Sequence, residues 1–422
     1  MLTVSINSLL SSPRLHGYTA YLSRTLQMSP PRAIEELNKQ VSCYLNQKNP
    51  EEILSQKLPE MRNIHETLSL LPKGYKSANN VPFFPIKKDS TLGSYLFESI
   101  RDFVISTSDA TNDTKTPPLL VTGIPGGLSV AGLSELLNIS GIEFLRVNNE
   151  PGGAFIADFA ARFSHAPVIN FNTYGAGTTA TIGQVYTAWL EHSPLIIMTG
   201  ITGAQECHSH TLHHHCDHRN IQYDIFRPIT IAQARLDDPS KAAQEIFWLL
   251  WFLSKYQLPI YIELPRDMVS KPIVPSSNPP SLSPDISNLS EISELSHEVV
   301  NIISQSNQPL IMAGLHVLRS PDLRNLLIQF AQKYNIPVVT SFDGKSAFPE
   351  DHPLFRGVLA GAYSSSSQTQ DFIRNCDLLI KIGIVETDVN QGMGTLDLPE
   401  NSIEMNIWQF SLNIYPLNSQ IT

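Results

Sequence analysis

The sequence predicts an α/β protein with two doubly wound parallel sheets and a helical or partly disordered extension at its N-terminus. Apolar strands alternate with helices across residues 89–270, and the same alternation returns across residues 291–422. Strands that alternate with crossover helices form parallel sheets covered by helices on both faces. Residues 271–290 are rich in Pro and Ser, which is typical of a linker. Residues 1–88 form the extension.

Length and composition indicate the class of protein. The chain has 422 residues, of which 42% are hydrophobic and 16% are charged. At about 150 residues per domain, a soluble globular protein of this length buries about two or three cores. The formal net charge of -10 and the lack of a Lys/Arg cluster argue against nucleic acid as a partner.

Cysteine content and hydropathy bear on location. Four cysteines are too few for a disulfide framework and are typical of a reducing cytoplasm. The first residues lack a basic region before their short apolar run, and no run approaches about 18 apolar residues. We therefore expect a cytoplasmic protein with no export signal and no membrane span.

The extension and the first helix of the α/β region have simple patterns. Residues 33–47 and 51–71 are helical in pattern and are interrupted by Pro-containing turns. Residues 91–106 form an amphipathic helix, with Asp89 and Ser90 as candidate caps. This helix opens the first α/β domain.

The most informative segment runs from Arg146 to Arg162. An apolar strand over residues 141–147 precedes Glu150, and a helix rich in small residues follows it. Glu150 then lies at the carboxyl end of a strand, where open α/β sheets bind their ligands. A single loop glutamate is otherwise more often a solvated surface residue. We expect the strand to be buried and the helix to lie closely on the sheet through Ala154, Ala157, Phe159, Ala160 and Ala161.

Glycine-containing turns follow two other predicted strands of this domain. One strand leads into Gly126 and Gly127, whose simplest role is to let the turn form at positive φ. The strand after the Glu150 helix leads into Tyr174 and Gly175, where glycine lets the backbone approach a ring. Gly175 therefore either contacts a ligand or only permits the turn.

These segments, in this order, resemble the pyrimidine-binding domain of thiamine diphosphate enzymes of the 2-oxo acid decarboxylase and acetolactate synthase group. The resemblance implies that Glu150 activates the cofactor, because in this family the activating glutamate is followed eight residues later by Asp, here Asp158, and twelve later by Arg, here Arg162. In these enzymes the glutamate bonds to the pyrimidine ring nitrogen and favours the tautomer that acts as a base. The resemblance also implies further cofactor contacts at Gly126, Gly127, Tyr174 and Gly175.

The second α/β region resembles the middle domain of the same enzymes. Residues 344–357 and 386–394 carry this resemblance, and residues 387–392 are similar to the pyruvate and indolepyruvate decarboxylases in particular. Gly127 instead resembles the acetolactate synthases, because the decarboxylases usually have an acidic or hydroxyl residue at that turn. The choice between the two branches therefore stays open.

The resemblance also implies a third domain, which holds the diphosphate through Mg²⁺ bound by a GDG segment and a later Asn. This sequence contains no GDG. We therefore do not expect this chain to hold thiamine diphosphate firmly by itself, and we expect a pyrophosphate-binding domain from another chain to supply the Mg²⁺ ligands and much of the binding. The substrate is then a 2-oxo acid. The alternatives are an inactive, truncated or degenerate binding protein and an acetolactate synthase-like carboligase subunit.

The loop from Cys207 to His218 contains eight Cys or His among twelve residues. These are zinc ligands, yet their spacing fits no regular zinc-finger pattern, and we assign no metal ligand in this chain. The resemblance instead implies that His213 and His214 hold the substrate carboxylate and relay protons. A solvated polar loop is the third interpretation, and all three stay open.

Two expectations concern assembly and a helix end. The helices after Glu150 and around Trp189 are more apolar than one domain can cover, so we expect a homodimer or a larger oligomer. Glu191 and His192 are expected at a helix C-terminus, with His192 near the negative end of the helix dipole.

Overall fold

The computed structural model describes residues 84–107, 118–203, 206, 220–274, 289–406 and 410–413. The predicted extension lies almost wholly outside the described residues, and so does the histidine-rich loop with His213 and His214. The domain boundaries derived from the sequence stay predictions. Within the described part of the chain, no helix is both long and apolar enough to cross a membrane.

Six strands form the first sheet: β1 (Leu119–Gly123), β2 (Ile142–Arg146), β3 (Val168–Thr173), β4 (Leu195–Ile201), β5 (Ala232–Arg235) and β6 (Ile260–Pro265). They lie in the order β2-β1-β3-β4-β6-β5, and every pair is parallel. Every residue of β4 and β6 is buried, because central strands of a parallel sheet are covered on both faces.

Helices cover both faces of this sheet: α1 (Leu92–Thr107), α2 (Val130–Leu136), α3 (Glu150–Ser164), α4 (Ala176–Thr179), α5 (Ile182–Leu190), α6 (Ile221–Phe226) and α7 (Ala242–Tyr256). The chain moves outward from β1 to β2 and then returns to the other side of β1 with β3. The crevice at the carboxyl ends of β1 and β3 is therefore a topological switch point, where doubly wound sheets bind ligands.

The second sheet also has six strands: β7 (Pro309–Ala313), β8 (Val338–Ser341), β9 (Phe355–Leu359), β10 (Leu378–Ile382), β11 (Ser402–Met405) and β12 (Phe410–Asn413). Their order is β12-β11-β10-β7-β8-β9. The helices of this region are α8 (Leu289–Gln305), α9 (Leu315–Leu318), α10 (Pro321–Tyr334) and α11 (Ser367–Asn375). The predicted architecture of two doubly wound α/β domains is confirmed.

One strand departs from the predicted parallel sheets. β12 pairs with β11 in the antiparallel direction, while the other pairs of the second sheet are parallel. Only residues 406–409 separate the two strands, and a parallel crossover needs a dozen residues or more. The short connection therefore dictates a hairpin at this edge.

The segment around Glu150 differs from expectation in two respects. β2 is an edge strand rather than a buried one, and its Leu145 is 40% exposed. In α3, Ala154, Ala157 and Ala161 are fully buried, but Phe159 is 65% exposed instead of lying on the sheet. The three alanines share one helix face at spacings of three and four, and Phe159 lies off that face.

The start of α1 also corrects a prediction. Ser94 donates its backbone N–H to Thr91 Oγ1 at 3.0 Å, and Thr91 donates its own N–H to Ser94 Oγ at 2.9 Å. This reciprocal pair satisfies two N–H groups that the helix leaves unpaired. The cap is therefore Thr91, rather than Asp89 or Ser90.

The two sheets meet near the C-terminus of α5. Glu191 is the C-cap of α5, as predicted, and His192 follows with φ of 51°. The guanidinium of Arg319, which follows α9, donates to the carbonyl oxygen of His192, and the rings of His192 and His316 are 5.6 Å apart. Burial, with Arg319 nearby, lowers the pKa of His192 to about 4. His192 therefore lies at the helix C-terminus as predicted, but it is neutral near pH 7 and brings no positive charge to the helix dipole.

Candidate switch-point site

The candidate site lies where β1, β2 and β3 end. The turn with Gly126 follows β1, the first residue of α3 is Glu150, and the turn with Gly175 follows β3. A methyl group built on Gly126 would lie 2.6 Å from Thr173 Cβ, and one built on Gly177 would lie 3.1 Å from Glu150 Oε1. The structure thus brings the three predicted segments together, while their contact with a cofactor stays a prediction.

The N-terminus of α3 presents the Glu150 carboxylate. Asn149 caps the helix, and its side chain accepts a hydrogen bond from Gly152 N at 2.7 Å. Pro151 occupies the first turn, where its missing N–H has no cost. Glu150 is half-buried, and among the described residues its carboxylate makes no hydrogen bond or ion pair. The cap therefore holds the backbone in place, and the carboxylate is available for contact with a ligand.

Gly175 has a backbone that only glycine adopts readily. Its φ is 87°, and apart from its own chain neighbours no heavy atom of the described residues lies within 4 Å of the position that a Cβ would take. On the inner side, its N–H donates to Gln222 Oε1 at 2.7 Å. The turn is therefore hydrogen-bonded to the buried Gln222 on one side and open on the side where a Cβ would lie, as far as the described residues show.

Tyr174 lies differently from its neighbour. The residue is buried, and it forms a small cluster with Leu128 and Ile201. Its backbone N–H donates to Gly200 O at 3.0 Å. Little of its surface remains for the predicted cofactor contact.

The glycines after β1 do not have the predicted conformation, since neither Gly126 nor Gly127 has a positive φ. Gly126 is required for another reason, because a Cβ there would overlap the side chain of Thr173. A Cβ on Gly127 would meet no heavy atom within 4 Å in the part of the chain that the structure describes, its chain neighbours excepted. Gly127 therefore leaves open space beside the switch point.

A buried hydrogen-bonded chain, which the sequence analysis missed, lies beneath Gly175. Gln222 Nε2 donates to Tyr261 Oη at 2.6 Å, and Tyr261 Oη donates to Glu263 Oε1 at 3.0 Å. Arg235 Nε donates to Glu263 Oε2. Burial, reinforced by the Glu263 charge, raises the pKa of Tyr261 well above its usual value. A glutamate within an otherwise apolar buried strand was the signal available in the sequence.

Asp158 and Arg162 serve the packing of α3 rather than the site. Arg162 Nη2 lies 2.6 Å from Asp158 Oδ2, and Arg162 Nη1 lies 3.2 Å from Glu191 Oε2. Asp158 is fully buried. Eight residues of helix separate Asp158 from Glu150 by about 12 Å, which is too far for a shared small ligand contact.

A cavity of about 710 Å³ belongs to the second sheet instead. It lies at the amino ends of β7 and β8, and its lining includes Phe330, Asp371 and Cys376. Burial raises the pKa of the Cys376 thiol to about 11, so the thiolate is scarce near pH 7. A large cavity alone therefore does not mark the reactive site here.

Within the described residues, no group of three or more His, Cys, Asp or Glu side chains is arranged to hold a metal ion. His213 and His214, predicted as substrate-side groups, lie outside the described residues. Their role, like that of the other predicted site residues, stays a prediction.

The fold and the site together define a class of protein: a pair of doubly wound α/β domains with a carboxylate and glycine turns at a switch point. Comparison with known families identifies it further. The N-terminal TPP binding domain of thiamine pyrophosphate enzymes matches residues 120–221, and the central domain of these enzymes matches residues 296–414. The chain belongs to the thiamine pyrophosphate enzyme family.

Curated relatives are decarboxylases. The chain is 30% identical over 269 residues to an indole-3-pyruvate decarboxylase of Azospirillum brasilense, covering 64% of this chain and 48% of the relative. It is 25% identical to a pyruvate decarboxylase of Candida albicans over 314 residues, which are 72% of this chain and 52% of the relative. A Saccharomyces cerevisiae pyruvate decarboxylase, isozyme 2, is 25% identical over 308 residues, again 72% and 52% of the two chains. The chain thus spans about half the length of these relatives.

Proposed function

We propose that the chain provides the pyrimidine-binding part of a thiamine diphosphate-dependent enzyme that decarboxylates a 2-oxo acid without oxidation. The observation that carries the proposal is Glu150, held by a helix cap at the switch point with its carboxylate unpaired among the described residues. The similarity to 2-oxo acid decarboxylases supports the reaction class. The cytoplasm remains the proposed location.

The described residues fit the aminopyrimidine of the cofactor. Open space above Gly175 and beside Gly127 leaves room for a flat ring, and Glu150 supplies a carboxyl group at the same crevice. Thiamine diphosphate, when bound, supplies the centre that stabilises negative charge on the substrate carbon. Glu150 holds a proton at the pyrimidine ring nitrogen, while His213 and His214 hold the substrate carboxylate and relay protons.

The diphosphate requires ligands that the described residues do not provide. Its charge is normally balanced by Mg²⁺ with oxygen ligands, and no group of acidic or histidine side chains in the described residues is arranged for a metal. A pyrophosphate-binding domain from another chain supplies the Mg²⁺ and diphosphate contacts in this proposal. The complex of the two is the active form.

Titration calorimetry with two probes tests this division of the site. Thiamine should bind the chain weakly, and thiamine diphosphate with Mg²⁺ should bind with an affinity within about threefold of thiamine, because charge-assisted contacts to the diphosphate are missing. Binding of thiamine diphosphate about 100-fold tighter than thiamine would show that this chain holds the diphosphate itself. Binding of neither probe would refute the pyrimidine-binding function.

A homodimer is part of the proposal, because the outer face of α3 is apolar. Phe155, Phe159 and Phe163 follow one another at every fourth residue, and the last two are 65% and 79% exposed. The rings of Phe159 and Phe163 stack at 6.2 Å. Tyr186 and Leu190 of α5 are also exposed. Exposed aromatic stripes of this kind are typical of interfaces between subunits.

Light scattering at micromolar concentration should give about twice the chain mass of 46.9 kDa. Phe159→Asp should shift the protein to the monomer, because a buried charge in an apolar interface is strongly unfavourable. Tyr363→Asp, at a residue of the second sheet region that is equally exposed, should leave the dimer intact. A wild-type protein at the monomer mass would contradict the prediction.

A carboligase is the second candidate, and Gly127 is the observation that favours it. Because residue 127 is a glycine, it supplies no acidic or hydroxyl side chain to the switch point, which resembles the acetolactate synthases. Product analysis of the assembled enzyme with pyruvate distinguishes the two. Acetaldehyde indicates the decarboxylase, and a branched 2-hydroxy-3-oxo acid indicates the carboligase.

A further inference from the structure

Gln222 connects the open turn at Gly175 with the interior of the first sheet. It is 1% exposed and is the second residue of α6. Its Oε1 accepts a hydrogen bond from Gly175 N at 2.7 Å, and its Nε2 donates to Tyr261 Oη at 2.6 Å. Nε2 also lies 3.4 Å from Thr199 Oγ1. Both ends of this one side-chain amide are therefore in use.

The orientation of this amide is fixed by its neighbours. A backbone N–H only donates, so the atom of Gln222 that faces Gly175 must be the oxygen. The hydroxyl hydrogen of Tyr261 goes to Glu263, so Tyr261 Oη must accept from Gln222, and the atom that faces it must be the nitrogen. Arg235 holds Glu263 on the other side. Flipping the Gln222 amide would break both of its hydrogen bonds. The series of hydrogen bonds from Arg235 through Glu263, Tyr261 and Gln222 to Gly175 therefore has only one possible pattern.

A second set of hydrogen bonds holds the same turn near β3. Thr178 Oγ1 donates to Thr173 O at 2.8 Å and lies 2.7 Å from Thr199 Oγ1. Thr178 and Thr199 are both fully buried. The backbone on either side of Gly175 is thus held by polar groups that water does not reach, and the face above Gly175 is left open.

We propose that Gln222 is a positioning residue for the cofactor. Its amide fixes the Gly175 turn in the positive-φ conformation that leaves the crevice open to the aminopyrimidine, and Tyr261 and Glu263 fix the amide. The inference rests on the proposed function, since it names a residue that supports the same site. It makes the position of Gly175 depend on a side chain that does not touch the ligand.

Two variants separate positioning from general stability. Gln222→Met keeps the length of the side chain and removes both hydrogen bonds. Gln222→Glu restores the pattern only when the carboxyl is protonated, because its O–H then donates to Tyr261 and its C=O accepts from Gly175. The ionised form is repelled by Glu263. Asn138→Leu, which removes an exposed side-chain hydrogen bond on the same domain, is the matched control.

The readouts are the Gly175 amide and the binding of thiamine by the whole chain. Tyr174 and Gly175 form the only Tyr-Gly pair in the sequence, so ¹³C-carbonyl tyrosine with ¹⁵N-glycine labelling gives a single amide signal for Gly175. Its hydrogen-exchange rate reports the anchoring without any ligand. Titration with thiamine followed by calorimetry reports the geometry of the crevice.

In Gln222→Met, we expect the Gly175 amide hydrogen to exchange at least about tenfold faster than in the wild type, because a buried N–H loses its partner. We expect thiamine to bind this variant about tenfold more weakly. Both effects should be the same at every pH. Gln222→Glu should resemble the methionine variant near pH 8 and approach the wild type as the pH falls toward about 6, because burial beside Glu263 raises the pKa of a carboxyl. The control should match the wild type throughout. A purely structural residue would not give a thiamine affinity that recovers on protonation.

Each outcome bears on one claim. Wild-type exchange and wild-type thiamine affinity in Gln222→Met would overturn the positioning role, and so would parallel pH profiles for the glutamate and methionine variants. Failure of the wild type itself to bind thiamine or thiamine diphosphate would instead overturn the proposed function. The two failures are therefore distinguishable in the same titrations.

Discussion

Replacing Glu150 with glutamine should slow exchange of the cofactor's C2 proton by about 100-fold or more, because a positioned acid–base group contributes about 10²- to 10⁴-fold. Glutamine keeps the shape of the side chain and one hydrogen bond to the ring nitrogen, but it cannot hold or release the proton. Cofactor affinity should therefore fall much less, by about tenfold or less, since one hydrogen bond remains. Deuterium exchange at C2, followed by NMR in the assembled protein with Mg²⁺, measures the rate directly.

Glu143→Gln provides the matched control. Glu143 lies in β2, immediately before the turn that carries Glu150, and it is exposed. The same change of one carboxylate to an amide should leave both exchange and binding unaltered there. A Glu150→Gln protein that exchanges the C2 proton at the wild-type rate would refute the role assigned to Glu150.

The sequence predicted the parts of the fold that depend on local pattern. The nearly continuous apolar runs of β4 and β6 are of this kind, because strands buried on both faces need no polar positions. Glu150 was located correctly at the end of a strand, since the strand, the Gly/Pro turn and the helix are adjacent in the chain. Its approach to the turn at Gly175 follows from the parallel order of the strands, which alternation predicts.

The rest depended on contacts between distant segments. Gln222 is 47 residues from Gly175 and 39 from Tyr261, and nothing in the local pattern of α6 indicates these partners. The edge position of β2 follows from sheet order, which the apolar residues of that strand do not encode. Phe159 is apolar whether it faces the sheet or a second subunit, so only the structure distinguished the two.

Acidification from pH 7 to pH 5 should destabilise the folded chain through the histidine pair between the two sheets. The pKa of His316 is lowered to about 3, mainly by burial and further by the neighbouring His192 and Arg319. The pKa of His192 is lowered to about 4, mainly by burial and further by Arg319. Each imidazole therefore gains a proton only when the ring becomes exposed to water. The charged groups that surround this pair and Arg319 are Arg162, Asp158, Glu191 and Asp343.

The sign of the effect follows from these two depressed pKa values. In the unfolded chain, histidines have a pKa of about 6.5. Below that pH, the unfolded state therefore binds protons at these two histidines that the folded state does not bind. The stability contributed by neutral burial is therefore complete above about pH 6.5 and is lost as the pH falls toward the folded pKa values. Each histidine should cost about 2 kcal/mol of unfolding free energy between pH 7 and pH 5.

Urea unfolding at the two pH values tests this account, with the loss read as a shift of the midpoint at constant slope. His316→Gln keeps a polar side chain but does not titrate, so its loss between pH 7 and pH 5 should be smaller than that of the wild type by about 2 kcal/mol. His297→Gln, at an exposed histidine of α8, should lose as much as the wild type because that imidazole is solvated in both states. All three proteins have the same carboxylates, so the differences between them isolate the histidine pair. Equal losses in the wild type and His316→Gln would mean that the neutral pair does not govern the acid response.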